Sequence, residues 1–341
     1  MGRPWQAPNK SGILAAMAPA PRPVVIDTDP GVDDALALCL ALRSSELRVE
    51  AITTVAGNVP VGVATRNVLR ILDLLRPVPR PLIAQGASEP LERPLRVAAE
   101  VHGEDGLGGA TALLEPDGRP RYPDPPIGPD RTDAPDLLAE MAERFAGRLT
   151  VITLGPLTNL ALALQSHGPL LRKVGQVVAM GGALRVPGNV TPVAEFNVWV
   201  DPEAAAEVLQ AGLPLRLVGL DVTHQVRLSA SDLPPLPDTP VARFIRDITG
   251  QTLAWCERVE GGGMPLHDPL AVAAAADPTL FAWEALPLRV ETRGEHTTGM
   301  TVADLRPGRR ERSGSACEVA SAVEAERARR FVLERLWRSS S

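Results

Sequence analysis

Four aspartates, Asp27, Asp29, Asp33 and Asp34, fall within the eight residues DTDPGVDD. The apolar run PVVI precedes them and ALALCLAL follows. Carboxylates this close repel one another, and crowding them costs free energy unless positive charge sits among them. No basic residue lies between Val24 and Leu42. Two readings are open. A single aspartate at a helix start is an ordinary cap, stabilised by the helix dipole by ~0.3–1 kcal/mol. Four together suit a hard divalent cation, because Ca²⁺ and Mg²⁺ take oxygen ligands from carboxylates and carbonyls.

Other polar residues stand at the ends of apolar runs. Asn58 closes AGN and offers both a donor and an acceptor, although Gly-Asn is also a common turn. Leu154 ends LTVITL before GPLTN, where its backbone carbonyl is free to face the same crevice. Met180 opens MGG, and the following GNVTPVAEFNVWVD places Asn189, Glu195 and Asn197 close together. That mixture of amides and an acid suits hydroxyl recognition, or else a polar loop leading to a helix capped by Asp201. His267 and Asp268 sit in GGGMPLHDP before an apolar helix. Here Asp268 as a plain cap and His267 as a core histidine are the bland alternatives.

Such residues need a scaffold to bring them together. Runs rich in Val, Ile and Leu alternate with helical patterns: PVVIDTD then ALALCLALRS, VEAITTVAGN then VATRNVLRILDLL, LTVITLG then LTNLALALQ. This alternation predicts an α/β fold, one Rossmann-like domain with a mostly parallel central sheet and helices on both faces. Ligands of such sheets bind at the carboxyl ends of the strands. PLIAQG, VGQVVAMGG and LPLRLVGLDVT read as further strands, and residues 134–146, 202–211 and 239–258 as helices. Residues 102–131 read as a Gly- and Pro-rich surface loop, 287–304 as an antiparallel excursion, and EVASAVEAERARRFVLERLW as a closing amphipathic helix. The domain is expected over residues 23–338, behind a flexible arm of residues 1–22, with Met1 and Met17 both open as the start.

Composition narrows the class. The chain has 341 residues, 45% hydrophobic and 22% charged, with a net charge of -6. An acidic balance argues against nucleic acid as a partner. No run approaches the roughly 18 apolar residues of a membrane span, and ILAAMA is too short for a signal-peptide core. The three cysteines, Cys39, Cys256 and Cys317, are widely spaced and give no disulfide framework or zinc motif. A cytoplasmic location is expected.

Taken together, DTDPGVDDALAL, AGN, LGPLTNLA, MGGA, GNVTPVAEFNVWVDPEAA, HDPLAVA and VETRGEHTTGMTVAD resemble the inosine–uridine-preferring nucleoside hydrolases, in order and across roughly residues 23–335. The resemblance implies Ca²⁺-dependent hydrolysis of the N-glycosidic bond of ribonucleosides to ribose and free base, by attack of a water held at the metal. It implies Asp29, Asp34, the carbonyl of Leu154 and Asp268 as metal ligands, with Asp33 as general base and Asp27 bracing the loop. Asn58, Asn189, Glu195 and Asn197 would hold the ribose, Met180 would line the pocket, and His267 would lie by the base and protonate a purine leaving group. His102 matches a histidine of a mobile loop that closes over the base. Gln251 and Trp255, four apart on one helical face, stand where family members often carry tyrosine or glutamine. No tryptophan-rich base sandwich is evident, so the resemblance points to pyrimidine or mixed inosine–uridine substrates. It also implies a homodimer or homotetramer. Two rivals remain: a ribonucleoside-binding or sensing protein without turnover, and a haloacid-dehalogenase-type phosphatase. The second needs a Thr or Val where Pro30-Gly31 follow Asp29, and a downstream lysine, for which Lys173 is the only one beyond Lys10.

Overall fold

A computed structural model describes residues 20–234, 239–259, 261–306 and 316–337. Strand β1 (Arg22–Thr28) leads into α1 (Val32–Leu42), β2 (Leu47–Thr54) into α2 (Val61–Leu75), and β3 (Leu82–Gln85) follows. An excursion carrying the one-turn α3 (Ala99–His102) precedes α4 (Ala134–Arg144), β4 (Thr150–Thr153), α5 (Thr158–Leu171) and β5 (Gln176–Met180). The helices α6 (Phe196–Val200) and α7 (Pro202–Gln210) lead to β6 (Leu215–Val218) and the short α8 (Leu220–Thr223). Strand β7 (Arg227–Leu228) and the long α9 (Pro240–Val259) come next. Strand β8 (Met264–Pro265) pairs with β7 just before α10 (His267–Ala276). The chain continues through β9 (Phe281–Pro287), the antiparallel pair β10 (Arg289–Val290) and β11 (Thr301–Val302), β12 (Ala316–Val323) and α11 (Ala325–Leu336).

Eight strands form one sheet in the order β3-β2-β1-β4-β5-β6-β12-β9, parallel except for β9. Parallel neighbours need crossovers, and the intervening helices supply them. Alternation along the strands sends side chains to two cores. Val24 and Ile26 of β1 join Ile52, Ile152 and Val178 on the face covered by α1, α2, α9, α10 and α11. Val25 joins Ala51, Val151 and Val177 on the face covered by α4, α5 and α7. Both faces are thus buried, as the Val/Ile-rich runs require.

Successive crossovers run outward from β1 through β2 to β3, then return to start again at β4 on its other side. The reversal between β1 and β4 opens a crevice at their carboxyl ends, the usual ligand position in this architecture. DTDPG leaves β1 there and Leu154 leaves β4 there.

Three expectations need revision. Residues 318–323 of the supposed closing helix belong to β12, which runs between β6 and β9. Its Ala, Ser and Glu content imitates a helix, but Cys317 and Val319 are buried and alternate with exposed Ala316 and Glu318. The expected strand at LPLRLVGLDVT stops at Val218, and Gly219 caps the turn of helix α8 instead. Arg22, expected in the flexible arm, already pairs with Leu47 in the sheet, while residues 1–19, including Met17, lie outside the described residues.

Leu36 is fully buried in α1, against the core that holds the aspartate turn in place. Leu36→Ala is expected to cost ~2–5 kcal/mol. Urea unfolding with an unchanged m-value checks this.

Candidate active site

The turn after β1 gives each of its aspartates a different environment. Asp27 is the last inward residue of β1, where its Oδ1 accepts from Thr53 Oγ1 at 2.6 Å and Asn159 Nδ2 at 2.8 Å. Burial still pushes its pKa up to about 7. Asn159 also donates to Thr54 O and accepts from Ala87 N, so one buried amide ties α5, β1, β2 and the loop after β3 together.

Asp34 closes the turn upon itself. Its carboxylate accepts from Thr28 Oγ1 at 2.5 Å, from the Gly31 backbone N–H at 3.0 Å and from Asn58 Nδ2 at 3.0 Å. It satisfies an N–H that the start of α1 would otherwise leave bare. Gly31 has an ordinary extended backbone, so its value is space: a Cβ there would sit 2.8 Å from His102 Nδ1 and 2.9 Å from Asn58 Nδ2.

Asp29 is fully buried. Its Oδ2 accepts from the Asn58 N–H at 2.6 Å, while Oδ1 has no partner. Gly57 and Gly155 flank it, and a Cβ on either would collide with its carboxylate. Asp33 Oδ1 is likewise buried and unpartnered. Burial and the neighbouring Asp34 charge push Asp33 up to about 8. Asp268, in the first turn of α10, is held well above the usual carboxylate range by burial and then by Asp33, Asp34 and Asp29. Carboxylate oxygens of Asp33, Asp34 and Asp268 lie within 4.8 Å of one another.

This arrangement fits a hard cation. The donors are all oxygen, three buried carboxylate oxygens (on Asp27, Asp29 and Asp33) lack partners, and among the described residues no arginine or lysine is ion-paired to the cluster. The Leu154 carbonyl joins them at the cavity wall. It accepts from Asn197 Nδ2 at 2.6 Å, which leaves it a second lone pair.

Above the acids lies a cavity of ≈ 480 Å³. Asp33, Asn58, His102, Leu154, Met180, Asn189, Glu195, Asn197, His267 and Asp268 all line it, with Asp29 and Asp34 beneath. The residues expected to hold the metal, the ribose and the base therefore lie in one place, Gln251 of α9 excepted. Glu195 caps α6 and is fixed by three backbone donors, Gly182, Asn197 and Val198. Asn197 Nδ2 also reaches Met180 O and Sδ. Asn189 stands at the exposed rim and accepts from the Phe196 N–H at 3.0 Å.

His102 Nδ1 accepts from the Val32 N–H at 3.2 Å and lies 3.9 Å from Asp33 Oδ1. An acceptor at Nδ1 puts the proton of the neutral ring on Nε2. Burial lowers its pKa to about 4 and that of His267 to about 3, so both rings are neutral near pH 7. The loop bearing His102 is docked: Asn67 Nδ2 donates to Pro30 O and Asp105 O, and Thr252 Oγ1 donates to Val101 O.

The helix α9 departs from expectation in part. Trp255 lines the cavity, but Gln251 is exposed beside Gly109 and does not. Thr252 and Cys256 face the cavity in its place, and Trp199, not expected there, joins Trp255 from α6. Trp199 was within reach of sequence reading, two residues after Asn197 on the same short helix. Arg96 and Glu100, which line the mouth, sit in a stretch with no periodic signal.

A family model described as inosine-uridine preferring nucleoside hydrolase matches residues 24–330. The pyrimidine-specific ribonucleoside hydrolase RihA of Salmonella typhimurium is 42% identical over 286 residues, covering 83% of this chain and 88% of that one. A plant nucleoside hydrolase, the PpNRh1 enzyme, superposes with a TM-score of 0.84 at 34% identity, over 94% of this chain and 100% of its own. A purine-preferring ribonucleoside hydrolase from Gardnerella vaginalis gives 0.84 at 32% identity, over 92% and 98%.

The acidic cluster links protons, cation and stability. Asp27 and Asp33 rise from an ordinary 3.8 to about 7 and about 8. A carboxylate raised on folding contributes stability that is complete below its unfolded value and lost as pH climbs through the folded one. Chelator-treated protein should therefore lose Tm as pH rises from 6.5 to about 8, above the range in which the two buried histidines contribute the opposite slope. Saturating Ca²⁺ should flatten the upper part of that slope, because the cation replaces protons among the acids. Thermal melts across pH, with and without the ion, test this. Identical slopes would contradict a cation site here.

Proposed function

The chain belongs to the inosine-uridine preferring nucleoside hydrolase family, and from that premise we propose a Ca²⁺-dependent enzyme whose preferred substrates are pyrimidine ribonucleosides. It is an N-glycosidase that hydrolyses ribonucleosides to ribose and free base, which sets aside the binding-only and phosphatase readings. The observation carrying the reading is the cluster of buried, unpartnered carboxylate oxygens at the floor of a cavity walled by amides and neutral histidines.

Asp29, Asp34, Asp268 and the Leu154 carbonyl would hold the cation. When bound, it neutralises the carboxylates and polarises a water toward ionisation. Asn58, Asn197, Asn189 and Glu195 hold the ribose hydroxyls, with Glu195 and Asn189 toward the 5′ side. Positioning of the sugar over the acids supplies a large part of the rate. As the C1′–N bond lengthens, the sugar becomes oxocarbenium-like and the surrounding carboxylates stabilise its charge. Asp33 takes the water's proton: its side chain lines the cavity, and its raised pKa suits a base working near neutrality. A second reading has its own support. Asp29 Oδ1 is equally unpartnered, and were it the base, Asp33 would accept from a ribose hydroxyl instead. His267, with His102 beside the base, gives the leaving group its proton.

Pyrimidine preference rests on the relatives named pyrimidine-specific at 42% identity, against a purine-preferring structure at 32%. Assembly as a homodimer or homotetramer follows from the family alone, and light scattering tests it. Among the described residues no helix is long and apolar enough to cross a membrane. A cytoplasmic setting agrees with three buried free cysteines.

Uridine and cytidine should be cleaved with higher kcat/KM than inosine, and 2′-deoxyuridine should fall on the order of 10⁴-fold, since hydroxyl-reading sites reject analogues lacking them. Chelation should abolish all of these rates and Ca²⁺ restore them. Reducing-sugar release over this panel is the measurement; comparable turnover of uridine and 2′-deoxyuridine would sink the ribose assignment.

Asp33→Asn should lower kcat by ~10²–10⁴ with Ca²⁺ affinity retained. Asp29→Asn should instead weaken Ca²⁺ binding measured by calorimetry. The opposite pattern would exchange the two roles.

A further inference from the structure

Thr223 has no part in the reading above, yet its hydroxyl touches the site. It is fully buried at the end of α8, and among the described residues that hydroxyl has one hydrogen-bond partner, His267 Nδ1 at 2.8 Å. A threonine in a helix commonly returns its proton to the carbonyl four residues back. Here that carbonyl, Gly219 O, accepts from the Val222 and Thr223 backbone N–H groups instead. A buried O–H that donates to nothing is costly, so the proton must go to the one acceptor present. Nδ1 is then the lone-pair nitrogen of His267, and Nε2 carries the ring proton. The ring lines the cavity, and the His224 ring meets it edge to face at 5.6 Å.

We propose that Thr223 is a positioning residue that fixes the tautomer and orientation of His267, so that Nε2–H is offered to the leaving base. The inference rests on the reading of His267 as the donor to that base. In the step, the C1′–N bond breaks and its electron pair passes to the base, which takes the proton from Nε2. The water oxygen bonds to C1′ and gives its proton to the carboxylate base; that proton later returns to Nε2 of the imidazolate left on His267, so the cycle closes with one water consumed. A hydroxyl at Nδ1 makes the wrong tautomer, with the lone pair toward the base, unfavourable, because the Thr223 proton would lose its acceptor.

Two substrates separate this role from a structural one. Uridine needs a proton on its leaving group, whereas p-nitrophenyl β-D-ribofuranoside releases a stabilised phenolate without one. Thr223→Val should lower kcat on uridine by about tenfold or more and leave p-nitrophenyl riboside cleavage within about threefold of wild type. Thr223→Ser, which keeps the hydroxyl, should stay near wild type on both. An equal loss on both substrates in Thr223→Val, or a serine variant as impaired as the valine one, would overturn the proposal in favour of packing. His267→Ala decides the premise separately. Loss on uridine there without loss in Thr223→Val removes only the role of Thr223, while undiminished uridine cleavage by His267→Ala removes the donor reading itself and this proposal with it.

Discussion

Repulsion among buried carboxylates is the constraint around which this molecule is organised. Asp27, Asp29, Asp33, Asp34 and Asp268 are all buried at one end of the sheet. Among the described residues no arginine or lysine pairs with them; the nearest basic ring is His102, 3.9 Å from Asp33 and neutral through burial. Each acid raises the cost of ionising the next, and desolvation raises it further. Such a cluster is stable in ionised form only with a cation or with protons in its midst. Hydrogen bonding divides the burden unequally. Asp34 accepts from the turn and from Asn58, whereas Asp27, tied through Oδ1 to Thr53 and Asn159, and Asp29 and Asp33 each keep one bare oxygen.

The rest of the fold serves that cluster. Parallel strands deliver DTDPG and Leu154 to the same edge because β1 and β4 are neighbours across the chain's reversal. The start of α10 adds Asp268 and His267 from far along the sequence, α10 packing beside α1 on the same face of the sheet. Gly57 and Gly155 leave room for the Asp29 carboxylate from two sides. Asn67 and Thr252 dock the segment that bears His102 against the DPG turn and α9. Removal of water from this enclosure strengthens every electrostatic effect inside it.

Charge is segregated within the cavity. Its floor is acidic and asks for a cation, whereas two imidazoles stay neutral at its wall, each with a donor fixed at Nδ1. Val32 supplies a backbone N–H from the unsatisfied first turn of α1, and Thr223 supplies a hydroxyl. Neutral rings can give a proton to a leaving group without adding positive charge that would compete with a cation below. The same burial that raises the acids lowers the histidines, so one physical cause prepares both halves of the reaction.

Much of this was legible in the sequence, for local reasons. Eight residues carry the four aspartates, and alternating Val/Ile runs and helical patterns imply a parallel sheet whose strand ends hold the ligand site. The likeness of EFN and HDP to motifs of a known family implied the sugar- and base-side residues. What depends on distant partners was not legible. The Ala-rich segment at 318–323 reads as helix until β6 and β9 offer it hydrogen-bonding edges, and edge pairing outweighs intrinsic propensity. Helical spacing put Gln251 and Trp255 on one face, yet only Trp255 reaches the cavity, because the docked 102–109 loop covers the turn before it. Thr223 carried no signal at all, since its partner lies 44 residues away. The sequence alone determined which chemical groups are present and which strand ends carry them. Tertiary structure decided which oxygen stays bare, which nitrogen bears a proton and which rings face the cavity. Those outcomes depend on contacts between segments far apart in the chain, and no local pattern encodes them.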